Sequence, residues 1–193
     1  KRQAIYYPAK DAIFYSADVH GNQITGERLR CISRIINHSS TGEGVLTVVT
    51  TMDGIADRLI PVERFKEAVI TLDYSSEIEP EKLAKKLVAM GFVRTGMVED
   101  KGQFAIRGGI IDIFSYTDEA PVRIELWDTE VDSIRMFDVE SQRSIERLQS
   151  YSIFPATEYI FTEDELKNGL YNIKEECDRQ LECFDSVSYT HLT

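Results

Sequence analysis

Residues 103–138, QFAIRGGIIDIFSYTDEAPVRIELWDTEVDSIRMFD, restrict the fold more than any other segment, because apolar and polar residues alternate through them. Side chains on a β-strand point alternately to opposite faces, so this pattern predicts several short strands with one buried face. In residues 120–128 the buried face takes Val122, Ile124 and Leu126. The other face takes Arg123, Glu125 and Trp127. A large aromatic residue beside an arginine outside the core is typical of protein-binding surfaces, so the segment indicates a docking surface rather than an active site.

Composition places the chain among ordinary folded domains and argues against binding to nucleic acid on its own. Its 193 residues are 42% hydrophobic and 28% charged, which is enough to bury a core in one or two domains. The formal net charge is −11. Affinity for phosphates comes mainly from clustered lysine and arginine, so any contact with DNA would have to be local.

Cysteine usage and hydropathy indicate a reduced, cytoplasmic protein. Cys31, Cys177 and Cys183 lack the spacing of zinc ligands, and their odd number does not support a disulfide framework. No apolar run approaches the roughly 18 residues needed to cross a membrane, and the start of the chain lacks the apolar core of a signal peptide. The missing initial Met predicts an excised fragment. Residues 186–193 are expected to be a tail of little structural weight, whose native origin is open.

The first 67 residues carry the alternating strand and helix signals of an α/β domain. Residues 4–7 and 44–50 are predicted strands, and residues 26–37 have apolar side chains at helical spacing. The second strand is almost continuously apolar, which suits a parallel sheet covered on both faces. Shorter helices are predicted over residues 51–58 and from Pro61 onward.

From residue 68 the pattern changes to that of an α+β domain. A strand over residues 68–72 and a helix over residues 81–90 come first, and the apolar side of that helix predicts that it covers a sheet. An antiparallel meander follows. Its predicted strands are residues 92–99, 103–107, 109–114, 122–127 and 130–138.

Helical signals return after Pro155, so an α/β part brackets the α+β part. Thr162 and Glu165 have the spacing of a capping box, in which the two side chains bond each other's backbone N–H groups. The simplest organisation is an incomplete α/β domain, residues 1–67 and 153–193, interrupted by an α+β domain. That inserted domain, residues 68–152, is built on an antiparallel sheet.

The sequence lacks the motifs of nucleotide, metal or nucleophile chemistry. No phosphate-binding G-x-x-x-x-G-K-[ST] occurs, and Arg107-Gly108-Gly109 fits a bulge or kink better than a phosphate nest. The carboxylates of the meander are expected to form solvated cross-strand pairs rather than a metal or glycosidase site. They are Asp112, Glu125, Asp128, Glu130, Asp132 and Asp138. We therefore predict no catalytic, cofactor-binding or metal-binding residue, and no cofactor in this chain.

Arg107, Arg123 and Trp127 admit two interpretations from their pattern alone. In the first, the three side chains form a partner-binding patch. In the second, Trp127 folds over the sheet edge and both arginines pair with Glu125 or Asp112. The residues by themselves favour neither interpretation.

Ordered motifs run along most of the chain. They begin with Tyr7-Pro8 and GERL at residues 26–29, and they end with FPATEY at residues 154–159. Between these lie QFAIRGGIIDIF at 103–114, PVRIEL at 121–126, EVDSIR at 130–135, FD at 137–138 and SQRS at 141–144. Together, over roughly residues 4–160, they resemble the N-terminal UvrB-homology module of the bacterial transcription-repair coupling factors (Mfd).

The resemblance implies a function in nucleotide excision repair. The inserted domain of that family recruits UvrA, the damage-recognition ATPase, to a stalled RNA polymerase, and the positions matching its UvrA contacts are Arg107, Arg123 and Trp127. Glu125 is expected to hold the two arginines in place. Trp127 stands where phenylalanine is common, and Ser115 replaces a proline. The resemblance also implies that the flanking α/β domain is a RecA-like helicase domain without ATP chemistry. ATP, RNA polymerase and double-stranded DNA are then partners of the full-length protein.

A related module in the excision nuclease subunit UvrB is the alternative assignment. UvrB has a long tyrosine-rich hairpin that separates DNA strands, near the equivalent of the first segment. Here Tyr7-Pro8 leads almost directly through residues 12–15 to the predicted helix at 26–37. The SQRS run also resembles the coupling factors more closely. The sequence therefore predicts a non-catalytic, UvrA-binding adaptor, with a DNA-binding and UvrA-binding module of UvrB as the alternative.

Overall fold

A computed structural model describes residues 2–10, 19–41, 44–57 and 59–188 as two compact units, Lys1–Ile160 and Phe161–Thr193. The strands are β1 (Arg2–Tyr7), β2 (Val45–Thr50), β3 (Ile70–Asp73), β4 (Val93–Arg94), β5 (Gln103–Arg107), β6 (Ile110–Phe114), β7 (Val122–Trp127), β8 (Glu130–Phe137), β9 (Ser144–Arg147) and β10 (Ser150–Ile153). The helices are α1 (Val19–Thr41), α2 (Met52–Ala56), α3 (Val62–Glu67), α4 (Pro80–Ala89) and α5 (Glu163–Ser188). Residues 12–15 lie outside the described residues, so the predicted absence of a UvrB-type hairpin stays a prediction. Tail residues 189–193 also lie outside them.

The α/β part of the first unit is built on a parallel pair of strands, β1 and β2, as predicted. Ile5 lies opposite Val48, and α1 packs on β1 through Cys31. The prediction that β2 is covered on both faces was wrong for the described residues, because Val45 and Val49 remain 57% and 52% exposed. A two-stranded sheet covered by one helix buries only the side chains that point toward that helix.

The α+β part contains a six-stranded sheet in the order β4-β5-β6-β7-β8-β9, and β3 pairs with β10 in a separate antiparallel sheet. Neighbours in the large sheet are antiparallel, as predicted, except that β4 and β5 are parallel. The strand predicted over residues 92–99 is reduced to Val93–Arg94. It ends there because the chain turns at Thr95, whose hydroxyl donates to the carbonyl of Met97.

Helix α4 covers one face of the large sheet. Leu87 of the helix packs with Ile111, Ile124 and Ile134 from the three central strands, and all four side chains are fully buried. Burying one such aliphatic side chain stabilises the fold by about 1.5–3 kcal/mol. We call the side that α4 covers the inner face and the opposite side the outer face. The coarse expectation of a mixed α/β chain with an antiparallel α+β sheet is confirmed.

A buried ion-pair cluster joins α1 to the segment that follows β10. Arg28 is fully buried and donates to both carboxylate oxygens of Glu158, 130 residues away, at 2.5 and 3.0 Å. It also donates to the carbonyl of Pro8 at 2.8 Å and stacks on the Tyr7 ring at 4.3 Å. Lys10 lies 2.9 Å from the same carboxylate. The cluster therefore holds together segments from opposite ends of the first unit.

The second unit consists of helix α5 and the short segment that leads into it. The predicted capping box is confirmed: the Thr162 backbone N–H donates to Glu165 at 2.9 Å, and the Glu165 N–H donates to the Thr162 hydroxyl at 3.2 Å. None of the helices in the described ranges is long and apolar enough to cross a membrane.

Candidate protein-binding site

The predicted site residues lie on the outer face of the large sheet. In β7, Val122 and Ile124 are buried against the inner core, whereas Arg123 and Glu125 are half-buried and Trp127 is exposed. The β7–β8 pairing contains a β-bulge: Glu125 pairs with Ser133, but the next residue, Leu126, pairs with Val131. The extra residue is in β8, so the alternation along β7 continues to its end. Opposite residues of neighbouring strands then form one row across the outer face: Ala105, Asp112, Arg123, Arg135 and Arg147.

Arg107 is the last residue of β5 because a two-residue turn follows it. Arg107 pairs with Ile110 across the β5–β6 hairpin, which leaves Gly108 and Gly109 to reverse the chain. Gly108 has a φ of 60°, in the left-handed region that such tight hairpin turns require. The glycine pair is thus a hairpin turn rather than a bulge within a strand, and it places Arg107 at the end of the sheet.

A single buried carboxylate holds both arginines of the predicted trio. Asp112 is 1% exposed and lies on β6, between the strands that carry Arg107 and Arg123. One carboxylate oxygen accepts from Arg123 Nε at 2.7 Å. The other accepts from Arg123 Nη2 at 2.9 Å and from Arg107 Nη2 at 2.7 Å. Asp112 therefore does not belong to a solvated surface pair, as the sequence pattern suggested, because its two partners cover it.

Arg123 has two further contacts that fix its side chain. Its Nη2 also donates to the Gln142 side-chain oxygen at 2.8 Å, and its guanidinium lies 4.3 Å above the ring of Phe137. Hydrogen bonds to Asp112 raise the pKa of Arg123 above its ordinary value despite partial burial. The guanidinium is thus charged, planar against a ring, and tied to two strands and one turn.

Trp127 is the exposed apolar residue of the site. It is the last residue of β7, and its side chain is 79% exposed. The turn after it begins with Asp128 at a φ of 59°, the left-handed conformation that a tight hairpin uses here without a glycine. Trp127 therefore projects from the sheet and does not fold over the sheet edge.

Glu125 has different partners from those expected. Its carboxylate forms an ion pair with Arg135 and accepts a hydrogen bond from the Ser133 hydroxyl at 2.8 Å. Burial raises the pKa of Glu125, but the bonds from Arg135 and Ser133 outweigh it, so the pKa lies below its ordinary value. The direct contacts to Arg107 and Arg123 are those of Asp112.

The lowered pKa of Glu125 predicts a loss of stability in acid. Because Glu125 is easier to ionise in the folded chain, its contribution is complete above the unfolded pKa, about 4.5, and is lost as the pH falls through the folded pKa. We expect Glu125→Gln to be less stable than the parent at pH 7, with a difference that shrinks below about pH 4.5. Urea unfolding between pH 3 and 7 measures this. Ser133→Ala, which keeps the Arg135 ion pair, should retain most of the pH dependence. A difference that is constant with pH would contradict the assignment.

Sequence reasoning missed two residues that position the site. The sequence pattern gave Asp112 only as an alternative to Glu125 as the partner of the arginines, because alternation assigns a face but not the register between strands. Gln142 lies 19 residues from Arg123 in a turn after β8, and its backbone φ of 57° is not foreseeable from the SQRS run. Within the described ranges no group of three or more His, Cys, Asp or Glu side chains could hold a metal ion.

Comparison with known proteins gives the family. Residues 70–159 match the UvrB interaction domain. The transcription-repair-coupling factor of Bacillus subtilis (strain 168) is 42% identical over 172 residues, which is 89% of this chain and 14% of that protein. The factor of Staphylococcus aureus (strain MRSA252) is 36% identical over 182 residues, or 91% of this chain and 15% of the relative. That of Staphylococcus haemolyticus (strain JCSC1435) is 38% identical over 84% of this chain and 13% of the relative.

The matched region contains the large sheet and the trio on its outer face. The chain spans about one seventh of the length of the first of these relatives. With a UvrB interaction domain at residues 70–159 and this degree of identity over nine tenths of its length, the chain belongs to the family of the transcription-repair-coupling factors.

Proposed function

We propose that the outer face binds UvrA and that the chain is a non-catalytic adaptor of transcription-coupled nucleotide excision repair in the bacterial cytoplasm. In the full-length protein this module recruits UvrA to a stalled RNA polymerase, and the DNA and ATP chemistry belongs to other parts. The binding residues are Arg107, Arg123 and Trp127. The UvrB interaction domain match at residues 70–159 and the names of the relatives support this proposal.

The observation that carries the proposal is that two arginines and an exposed tryptophan lie on the same face of the sheet. Two guanidinium groups and one carboxylate leave one net positive charge, on a chain whose formal net charge is −11. Arg107 is nearly half exposed, and Trp127 is almost fully exposed. Arginine and tryptophan are the residues most enriched at interface hot spots. The surface suits a partner that offers carboxylates beside an apolar pocket.

We also propose the role of the flanking segments. Residues 1–67 and 153–193 belong to an incomplete RecA-like helicase domain without ATP chemistry. The parallel pair β1 and β2 with helix α1 is part of that domain. The UvrA-binding domain, residues 68–152, is inserted into it. The pairing of β3 with β10, at the two ends of the insertion, supports this division, because it brings the entry and exit of the inserted segment together.

Substitution of Trp127 tests the binding surface. Because Trp127 is exposed in the free chain, Trp127→Ala should leave the melting temperature unchanged within about 2 °C. It should weaken UvrA binding by at least about tenfold, since a hot-spot aromatic residue contributes about 2 kcal/mol or more. The measurement is the dissociation constant for purified UvrA of the same bacterium, by calorimetry or a surface-based assay.

Val88→Ala is the matched control for Trp127→Ala. Val88 is 56% exposed on helix α4, which covers the inner face, so its truncation should not change UvrA affinity. Equal affinity of Trp127→Ala and the parent would contradict the proposed surface. Salt-dependent binding of the parent to duplex DNA in place of UvrA would favour a module of the UvrB type.

A further inference from the structure

We infer that Asp112 is the positioning residue of the UvrA-binding surface. Its buried carboxylate holds Arg107 and Arg123 in their binding geometry before the partner arrives. This inference rests on the proposed function and adds to it a residue that does not itself contact the partner. Asp112 is 1% exposed, so it acts through the two arginines.

The position of Asp112 in the sheet allows it to serve both arginines. It lies on β6, the strand between β5, which ends with Arg107, and β7, which carries Arg123. Asp112 is directly opposite Arg123 in the β6–β7 pairing and opposite Ala105 in the β5–β6 pairing. The small Ala105 side chain occupies the neighbouring position of that row on the Arg107 side. Three hydrogen bonds of 2.7–2.9 Å therefore converge on one carboxylate.

The contacts of Asp112 leave donors for a partner. A guanidinium has five N–H groups. In the part of the chain that the structure describes, Arg123 uses Nε and Nη2, for Asp112 and Gln142, and Nη1 has no acceptor there. Among the described residues, Arg107 donates through Nη2 alone. Arg123 is thus held through the Nε–Nη2 edge of its guanidinium and Arg107 through Nη2, while N–H groups of both remain for carboxylates of UvrA.

Immobilisation before binding affects affinity because arginine has many rotamers. Ordering one rotamer-rich side chain at an interface costs about 0.5–1.5 kcal/mol, and this cost falls when the side chain is already held in the free protein. The Phe137 ring and Gln142 add to the restraint on Arg123. The Asp112 carboxylate thus increases affinity although its charge has the same sign as that of the expected partner.

Charge attraction and positioning predict opposite effects of Asp112→Asn on UvrA affinity, so this substitution distinguishes them. The substitution removes a negative charge, so simple attraction to an acidic partner predicts faster association and tighter binding. Positioning predicts the reverse, because an asparagine keeps only one of the two acceptor oxygens and loses the charge. At least one of the three hydrogen bonds is then lost, and the NH₂ group faces an arginine donor. We expect the dissociation constant for purified UvrA to rise about tenfold, because the restraint on both arginine side chains is weakened.

A double-mutant cycle separates positioning from general damage. In a chain that already carries Arg107→Ala and Arg123→Ala, Asp112→Asn should change the remaining UvrA affinity less than about twofold, because no arginine is left to position. A tenfold effect in that background would overturn the inference, since the loss would then come from elsewhere in the fold. Binding of the single variant as tight as that of the parent, or tighter, would also overturn it.

Gln142→Ala keeps the inference testable if Asp112→Asn does not fold. Gln142 lies in the turn between β8 and β9 and, with Asp112 and the Phe137 ring, restrains the Arg123 side chain. Its truncation leaves the buried ion pair intact and should weaken UvrA binding about threefold, with an unchanged melting temperature. Unchanged affinity of Gln142→Ala together with an unfolded Asp112→Asn would count against positioning. Failure of the proposed function is recognised separately, by Arg123→Glu binding UvrA as the parent does.

Discussion

Arg123→Glu abolishes detectable UvrA binding, with an expected loss of at least about 100-fold in affinity. The substitution replaces a guanidinium that stacks on Phe137 by a carboxylate directly opposite Asp112, so two negative charges face each other across β6 and β7. Arg107 then faces two carboxylates instead of one, and the net charge of the three side chains at positions 107, 112 and 123 changes sign. An acidic partner is repelled by the surface that attracted it. The measurement is the dissociation constant for purified UvrA, or retention of UvrA on the immobilised chain.

Lys85→Glu is the control for Arg123→Glu, because it makes the same change of charge on α4, on the side of the inner face. Lys85 is exposed, and its reversal should leave UvrA affinity within about twofold of the parent. Circular dichroism and the melting temperature show whether each variant is folded. A folded Arg123→Glu variant that binds as the parent does would refute the assignment of this surface.

Arg28→Met lowers the free energy of unfolding by about 3–5 kcal/mol. Arg28 is fully buried, and its removal leaves the carboxylate of Glu158 with Lys10 as its remaining cationic partner among the described residues. It also leaves the carbonyl of Pro8 without its donor and the Tyr7 ring without its cation. Methionine fills a similar volume, so the loss reports the unpaired polar groups rather than a cavity. Urea unfolding measures the change.

Two comparisons make the stability prediction specific. Arg94→Met breaks the ion pair of Arg94 with Glu81, whose side chains are 47% and 71% exposed, and should cost no more than about 1 kcal/mol. Arg28→Met combined with Glu158→Leu should recover part of the loss, because the buried carboxylate that lost its Arg28 partner is then removed as well. A similar cost for Arg28→Met and Arg94→Met would show that burial of the pair does not matter.

The local patterns that predicted the α+β part were strong because each depended on neighbouring residues. Alternation along β7 assigned Val122 and Ile124 to the core and Arg123 and Trp127 to the outer face, and the structure confirms these faces. The spacing of Leu83 and Leu87 predicted that α4 covers the sheet, which is also confirmed. Such predictions follow from the geometry of one strand or one helix.

Predictions that depended on several elements were less accurate. The run from Val45 to Val49 reads as a strand covered on both sides, but in the described residues the β1–β2 pair leaves it exposed. The strand expected over residues 92–99 stops after two residues and pairs in parallel with β5. Burial of a strand depends on the number of elements stacked on it, and its pairing depends on the adjoining turns. The residues of the strand alone determine neither its burial nor its pairing.

The sequence by itself determined the inner and outer faces of the sheet, because these follow from strand periodicity. It also determined the family resemblance, from the order of its motifs, and that resemblance named the three residues proposed to contact UvrA. Only the tertiary structure decided how those residues are held. It assigned Asp112 rather than Glu125 as the direct partner of Arg107 and Arg123, and it brought Gln142 to Arg123. The physical reason is register: adjacent strands and a distant turn must align before a carboxylate and a guanidinium can meet, and single-chain periodicity does not specify that alignment.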